Sequence, residues 1–563
     1  MTLWRLFNRQ SKKERYINMT LPREVYQVLE DIVGPRNITE EPATLAAYAF
    51  NFGNELYPPY ANRFSIRPSA VLLPGSTEEV QAIVKACNRY KIKYKPFTTG
   101  WGSIAGVRTE NSIQLDLRRM DRILEIDEKN MFAIVEPYAM GGTLQAEAMK
   151  VGLNCNMPGA GAAVSPLANG TSQWGHGPPT LYFGHNSEVL LGIEWVMPNG
   201  EILKTGSLGS GVGWFCGEGP GPSLRALIRG DIGAQGNLGV FTKAALKLSP
   251  WPGPTQLKVD GKPPAYHVSL PENFRMYTLT FPNWRAFADA AHKIYDAEIG
   301  YICHRQWHKL GKDLAPAFFL MYSNPTKTLD DLEEMLKDPE IQRFTQEMGM
   351  PLPIVLAGQT PNDIEYQEKV LNQILAETGG HKVAKMSEPD IEKFTLLYFI
   401  RWGHKNLNFV YAGGYVGSWH QYGTPDFNVK YAQVAEKTLS KYQATGLLVQ
   451  AGGDAMMGPI ARTGGGGTFS LEQFTAYDPA NKESVEAVVN YILESAELAK
   501  DHGFPSGFDE MAALRFKGTV GSQAYLENLP DNQRFQWQWK IRHMLDPNDA
   551  GEVGTYWMVK PKE

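Results

Sequence analysis

Cysteine is scarce in this chain of 563 residues: Cys87, Cys155, Cys216 and Cys303 are the whole set, and no two stand as Cys-x-x-Cys. That spacing gives no support to a structural zinc site, and a chain this long can bury a core without a disulfide scaffold. The four thiols read as small apolar residues. Net charge is equally slight, because 55 Lys and Arg face 60 Asp and Glu, a formal −5. The basic stripe of a dedicated nucleic-acid binder is therefore missing. No run of 18 apolar residues occurs, so no transmembrane helix is expected. The basic N-terminus, MTLWRLFNRQSKKERYINM, has no apolar stretch of signal-peptide length. Leu3, Trp4, Leu6 and Phe7 could form a short amphipathic anchor, or the stretch could be an extension before a second start at Met19. The reading is a cytoplasmic protein. There is no internal repeat, and low complexity is confined to Gly464–Gly467.

What is present is glycine (55) and proline (37), together about one residue in six, against an average usage of roughly 12%. Hydrophobic residues at 43% and aromatics at 11% exclude disorder as the main state. The length corresponds to two to four domains at roughly 100–200 residues each. Up to about residue 255 the chain is dense in short strands and turns: Ile92–Pro96, Ile113–Leu117, Ile123–Asp127 and Phe132–Val135. One helix stands among them. Ser76-Thr77-Glu78-Glu79 is a capping box, and Val80, Ile83, Val84 and Cys87 follow on one apolar face. A proline-rich linker (Pro250, Pro252, Pro254, Pro263, Pro264) opens the next stretch. There, helical segments at Trp284–Tyr295, Thr328–Leu336, Asp363–Glu377, Tyr431–Tyr442 and Glu483–His502 alternate with strands such as Met276–Phe281 and Leu447–Gln450. These features favour a loop-rich α/β or α+β protein over a helical bundle, with one domain over 1–255, a second over 256–504 that reads as a separate α+β domain, and 505–563 returning to the first if the middle one is an insertion-like cap.

Three side-chain-poor loops lie in the first domain. Pro96-Phe-Thr-Thr-Gly100-Trp-Gly102-Ser-Ile-Ala-Gly106 follows a strand, but its GxGxxxG spacing and the strand expected after it do not make a Rossmann turn. Alone it would equally fit a glycine hairpin without a ligand. Pro158–Gly177 is a long run of small residues without apolar periodicity, and Gly233–Thr242 leads into the alternating Ala245–Leu248 strand. Three such loops at strand ends point to an extended ligand laid along unhindered backbone N–H groups.

Taken in order, these segments resemble the FAD domain of the vanillyl-alcohol oxidase / p-cresol methylhydroxylase flavoprotein family. The likeness runs over Arg67–Pro252 and includes Arg67-Pro-Ser-Ala-Val-Leu-Leu-Pro74, Leu115-Asp-Leu-Arg-Arg-Met-Asp-Arg122, Val135-Glu-Pro-Tyr138, Gly192–Gly200 and Gly236-Asn-Leu-Gly-Val-Phe-Thr242; Leu545-Asp-Pro-Asn548 resembles the family's C-terminal turn. The resemblance implies a two-domain flavoprotein, with a p-cresol methylhydroxylase-type FAD-binding domain under an α+β cap. It implies that Pro96, Thr98, Thr99, Gly100, Trp101, Gly102, Ser103 and Ile104 wrap the diphosphate. Pro158, Gly159, Gly170, Thr171, Ser172, Gly177 and Gly184 would run beside the flavin and ribityl chain, and Gly239 and Val240 would meet the cofactor by backbone. A non-covalent FAD is expected, since Trp101 stands where relatives carry a linking histidine; a histidyl link from the cap is left open.

The departures from the family are specific. Gly159 replaces an aspartate, Ser103-Ile104-Ala105 lacks a tyrosine, and Ala461-Arg462-Thr463 keeps the arginine of a Tyr-Arg-Thr motif without its tyrosine. No HxGDGNxH-like metal motif is found, so no metal site is expected. Arg462, beside Gly464–Gly467, is the candidate to stabilise the anionic reduced flavin, unless it forms a surface salt bridge. His185 and His176 are candidate bases, or else structural donors. Cap patches at Tyr301–His308, Arg401–His404 and Trp419-His420 could line an aromatic pocket or be ordinary core. The expected reaction is hydride transfer from an alcohol or benzylic-type carbon of a small-molecule substrate to flavin N5, with O2 or an external carrier taking the electrons. Two rivals stand: a D-2-hydroxy-acid dehydrogenase, with Arg462 and Arg401 clamping the carboxylate, and a non-catalytic FAD-binding subunit of a larger complex. A homo-oligomer is left open, since no heptad or apolar stripe points to one.

Overall fold

The computed structural model describes residues 20–50, 64, 66–100, 106–157, 161–171, 177–184, 188–211, 213–214, 227–228, 238–262, 265–269, 271–304, 320, 324, 326, 331–402, 414–450, 460–463, 466–504 and 532–552. The chain opens with α1 (Arg23–Val33), β1 (Ile38–Thr39), α2 (Pro42–Ala49), β2 (Val71–Leu72), α3 (Thr77–Tyr90), β3 (Lys93–Phe97) and β4 (Ser112–Asp116). These strands form a sheet ordered β1-β2-β4-β3. Helix α3 begins where its sequence says it should: Ser76 Oγ accepts from Glu79 N at 3.2 Å. The Glu79 carboxylate accepts from Gly75 N at 2.8 Å, so the reciprocal half of the cap falls one residue early. Val80, Ile83, Val84 and Cys87 are buried against Leu72, Tyr94 and Leu115, which fixes the helix on the sheet.

A second sheet is built from β5 (Ile123–Asp127), β6 (Phe132–Val135), β8 (Leu190–Val196), β9 (Ile202–Lys204) and β10 (Val240–Pro250), in the order β5-β6-β10-β8-β9. Helix α4 (Gly141–Lys150) packs against β7 (Leu153–Cys155), which pairs with the end of β10 through Leu248 and Cys155. Val196 and Val240 belong to the same buried cluster as Tyr94 and Leu115, so the two sheets share a core. Short helices α5 (Pro166–Gly170) and α6 (Thr180–Phe183) lie in the small-residue segment.

After the two-stranded β11 (Val259–Asp260) and β12 (His267–Val268), a sheet ordered β14-β15-β13-β16 follows, from β13 (Phe274–Thr280), β14 (Ile302–Cys303), β15 (Leu352–Ala357) and β16 (His381–Lys382). Helices α7 (Trp284–Asp296) and α8 (Pro361–Thr378) cover it through Phe287, Ile294, Leu371 and Ile374. Helix α9 (Pro389–Arg401) has no counterpart in the sequence expectations. Its run Phe394–Ile400 is apolar almost throughout and buried on more than one side, so no 3.6-residue alternation marks it. The last sheet holds β17 (Gly414–Gly423), β18 (Leu448–Gln450) and β20 (Gly466–Tyr477), with β19 (Ile460–Thr463) also on β20. Helices α10 (Pro425–Gln443) and α11 (Lys482–Asp501) pack there through Tyr431, Leu439 and Tyr491. Finally α12 (Asn532–Leu545) leads into a turn that lies on β3, with Tyr94 N to Ala550 O and Glu552 N to Tyr94 O both at 2.9 Å. The mixed architecture agrees with the expected α+β class. No helix among the described residues is long and apolar enough to cross a membrane.

Candidate functional site

The site begins with a topological constraint. β3 and β4 are parallel neighbours, Lys93 opposite Ser112 and Phe97 opposite Asp116. The chain must therefore return the full length of β3 between residues 98 and 111, a job usually done by a helix. The glycine-rich residues 98–106 fall within this return, of which 98–100 and 106–111 are described. Pro96 sits in β3 opposite Leu115, Thr98 and Thr99 are half-buried, and Gly100 is exposed. Gly100 has φ +72°, and an added Cβ would sit 2.6 Å from the Phe97 ring. The base of the loop is braced by Asp116, fully buried, which accepts from the Tyr48 hydroxyl and from Arg118 N at 2.9 Å. The Tyr48 ring meets Phe97 edge-on.

The second segment leaves β7 through Asn156, whose Nδ2 donates to Gly184 O at 2.9 Å. Asn156 is 3% exposed, and its Oδ1 is buried with no hydrogen-bond partner among the described residues. Gly161, at φ +120°, opens a turn that is stitched to the start of α4. Gly142 N donates to Ala162 O at 2.8 Å, and Gly141 N to Val164 O at 2.9 Å. Ser165 caps α5, its Oγ accepting from Ala168 N at 3.1 Å. Its own N–H donates to Thr99 Oγ1 at 3.3 Å, and this bond joins the first loop to the second. Gly170 is buried in α5, and Thr171 directs both its N–H and its hydroxyl to Leu167 O, at 3.1 and 3.0 Å. Gly177 N donates to Thr180 Oγ1 at 2.7 Å, while Gly184, at φ +84°, closes α6 through Thr180 O at 2.8 Å.

Val240 starts β10 opposite Val196, and Gly239 immediately precedes it. Gly239 has φ +97°, and a Cβ there would come within 2.2 Å of Val196 O. Close approach of two strands of the same sheet is what demands glycine at this position.

The later sheets close over the second segment. Ala162 N donates to Trp402 O at 3.3 Å. Gln145, 1% exposed, donates from Nε2 to Ile400 O at 2.8 Å and accepts from Arg401 Nη1 at 2.7 Å. Arg401 also reaches Gly142 O at 3.3 Å, and burial lowers its pKa below the ordinary value. Tyr301, beside β14, accepts from Asn154 Nδ2 at 2.7 Å and packs on Tyr182, Phe183 and Trp251; burial pushes its phenol up. The fully buried His304 lies against Trp402, ring centroids 4.9 Å apart. Strand β19 runs beside α6, and its Arg462 pairs with Gly467 across the β19–β20 hairpin. The backbone at Arg462 is thus brought to the second glycine segment, although the two are far apart in sequence.

Of the expected site residues, Pro96, Thr98, Thr99, Gly100, Gly170, Thr171, Gly177, Gly184, Gly239 and Val240 are described, and for Arg462 the backbone alone. Trp101, Gly102, Ser103, Ile104, Pro158, Gly159, Ser172, His176 and His185 lie outside the described residues. Sequence reasoning missed Asn156, Ser165 and Gln145, which tie the segments to one another. Only Ser165-Pro166, an N-cap followed by proline, carried a local signal.

The residues present fit an extended dianionic cofactor. Residues 96–107 and 156–187 contain no Asp, Glu, Lys or Arg, so neither segment itself sets a carboxylate against a diphosphate. Gly100 and Gly161 adopt positive φ in the two segments, and the open Oδ1 of Asn156 marks a buried polar contact still to be made.

Residues 68–206 match the family of FAD binding domains. The chain is 27% identical over 233 residues to glycolate oxidase subunit GlcD of Bacillus subtilis (strain 168), covering 41% of this chain and 46% of that protein. It is 30% identical over 238 residues to the 4-cresol dehydrogenase (hydroxylating) flavoprotein subunit of Pseudomonas putida, covering 40% and 42%. Similarity to a probable mitochondrial D-lactate dehydrogenase of Danio rerio is 25% over 293 residues, covering 48% and 52%. The chain spans about half the length of the curated relatives it matches. The fold extends further. The structure of p-cresol methylhydroxylase with substrate bound superposes with TM-score 0.67 at 19% identity, covering 96% of this chain and 98% of that one. A 4-ethylphenol oxidase from Gulosibacter chungangensis gives TM-score 0.69 at 18% identity, covering 96% and 97%.

Proposed function

We propose that this chain, whose residues 68–206 match the family of FAD binding domains, is an FAD-dependent oxidoreductase acting on an alcohol or benzylic-type carbon of a small aromatic or apolar molecule. FAD, when bound, supplies the two-electron acceptor, taking hydride at N5. Backbone N–H groups of residues 98–104 would hold the diphosphate, residues 158–184 would lie toward the ring, and Asn156 Oδ1 would accept from the cofactor or a bound water. Arg462 stabilises negative charge near the ring. His185 or His176 takes the hydroxyl proton of the substrate. The electrons then pass to O2 or to an external carrier.

The observation that carries this reading is the seam between α6 and the strands over it, where Tyr182, Phe183, Trp251 and Tyr301 pack ring against ring. Such a wall excludes water and suits an uncharged aromatic substrate. Arg401, one of the two cationic clamps that a hydroxy acid would need, is engaged by Gln145 and Gly142. A second reading, oxidation of a D-2-hydroxy acid, keeps support from the relatives named as D-lactate dehydrogenases.

The test is anaerobic bleaching of the flavin in the purified protein. Aryl-alkyl alcohols should bleach the yellow chromophore and D-2-hydroxy acids should not. Bleaching by hydroxy acids alone replaces the first reading by the second, and a protein that stays colourless after incubation with FAD sinks both.

A further inference from the structure

The glycine loop is held from outside by a residue near the other end of the chain. Glu552 is fully buried, and its carboxylate touches both limbs of the loop. Oε2 accepts from Lys95 Nζ at 2.9 Å, on the strand that enters the loop. Oε1 accepts from Arg108 N and from Thr109 Oγ1, both at 3.1 Å, on the limb that leaves it. Glu552 is itself set in place by a rigid turn. Arg542 Nη2 donates to Asp546 Oδ2 and Asp549 Oδ1 at 2.9 Å and to Gly551 O at 2.6 Å. Asp546 accepts from Ala550 N at 3.0 Å and from Gly551 N at 2.9 Å. At the far end of the outgoing limb Lys93 N donates to Asn111 O at 3.0 Å.

We infer that Glu552 is a positioning residue for the cofactor. It pins Arg108 and Thr109 of the returning limb to Lys95 of β3, so that the span between the two limbs is set before FAD arrives. A loop whose two limbs are fixed to each other loses less freedom on binding than one whose limbs move apart. The inference rests on the proposal that this loop holds the diphosphate. It concerns how the loop is kept, not which groups touch the ligand.

The experiment titrates the apoprotein with FAD, followed by flavin fluorescence, and measures thermal midpoints with and without FAD. Glu552→Ala alone leaves Lys95 buried and unpaired and can unfold the domain. The informative variants are therefore Lys95→Met/Glu552→Leu, which removes the clamp together with the Lys95 charge, and Thr109→Val, which removes one donor from the limb. The double variant should fold and bind FAD about tenfold more weakly or worse, with a narrowed gap between the two midpoints; Thr109→Val should weaken binding by about threefold. Lys95→Met/Glu552→Gln keeps the acceptor for Arg108 and Thr109, and should bind more tightly than the leucine variant. Wild-type affinity in both the leucine variant and Thr109→Val, whatever their melting temperatures, overturns the inference and leaves Glu552 a purely structural residue. A wild-type protein that takes up no FAD overturns the cofactor reading instead, and this inference with it.

Discussion

Replacing Gly239 by alanine separates two reasons for a glycine at the start of β10. The residue was expected to admit FAD to the backbone. The structure gives it a further task, because its φ of +97° and the 2.2 Å separation between an added Cβ and Val196 O concern the sheet itself. The dihedral alone costs about 1–2 kcal/mol for a residue with a Cβ. The Cβ must then retreat by nearly 1 Å to reach even the tight limit of 3.0 Å. That movement strains β10 against β8 and threatens the bond from Trp195 Nε1 to Leu238 O, 2.5 Å long, worth about 1 kcal/mol. The expected loss is about 3–4 kcal/mol in the apoprotein. Gly152 is the control: its φ is +74°, and an added Cβ meets nothing within 4 Å. Gly152→Ala should therefore lose about 1 kcal/mol, the dihedral part alone. Urea unfolding of the two apoprotein variants measures the difference. Equal losses would refute the steric argument, and a Gly239→Ala apoprotein as stable as wild type, impaired in FAD binding alone, would refute the structural role altogether.

Glu194 offers a pH test. Its burial pushes the carboxyl up, but bonds from Lys243, Thr77 and Thr242 and the charge of Lys243 outweigh this and hold the pKa below the ordinary value. Its contribution is thus complete above the unfolded pKa, about 4.3, and lost as pH falls through the lower folded value; Glu194→Gln should flatten the fall in unfolding midpoint below about pH 5, and an unchanged slope contradicts this. Gln145→Leu removes both bonds to the end of α9 and should cost about 2–4 kcal/mol, with faster amide exchange across Pro389–Arg401; unaltered exchange there would show that the seam does not depend on it. Burial raises the thiols of Cys155 and Cys303 to about 12 and that of Cys87 as well. These three should resist a thiol-specific disulfide reagent until the chain unfolds, and labelling of any of them in the folded protein is the contrary result.

Much of the fold could be read locally. Ile123–Asp127 and Phe132–Val135 are strands at those bounds, α3 lies where its cap and apolar face place it, α7, α8 and α11 lie within two residues of the expected bounds, and α10 starts at Pro425, six residues before the expected Tyr431. Helix α9 escaped because its apolar residues face neighbours on several sides and leave no alternation to detect. The glycine loops stood out in the sequence, because side-chain-poor stretches without periodicity cannot be core. Their fastening was not. Thr99 meets Ser165 from 66 positions away and Arg401 meets Gln145 from 256. Nothing in a neighbouring residue records such a partner.

From the order of residues alone came the α+β class, the three glycine-bearing loops and the likeness to an FAD domain, all set by local backbone preference and by the space that missing side chains leave. Tertiary structure alone decided that Glu552 closes a loop 457 positions before it through Lys95, that Arg401 serves the seam, and that Gly239 answers to Val196. Each depends on which strands the topology lays side by side, and a buried charge or carbonyl finds its partner only after the sheets have formed.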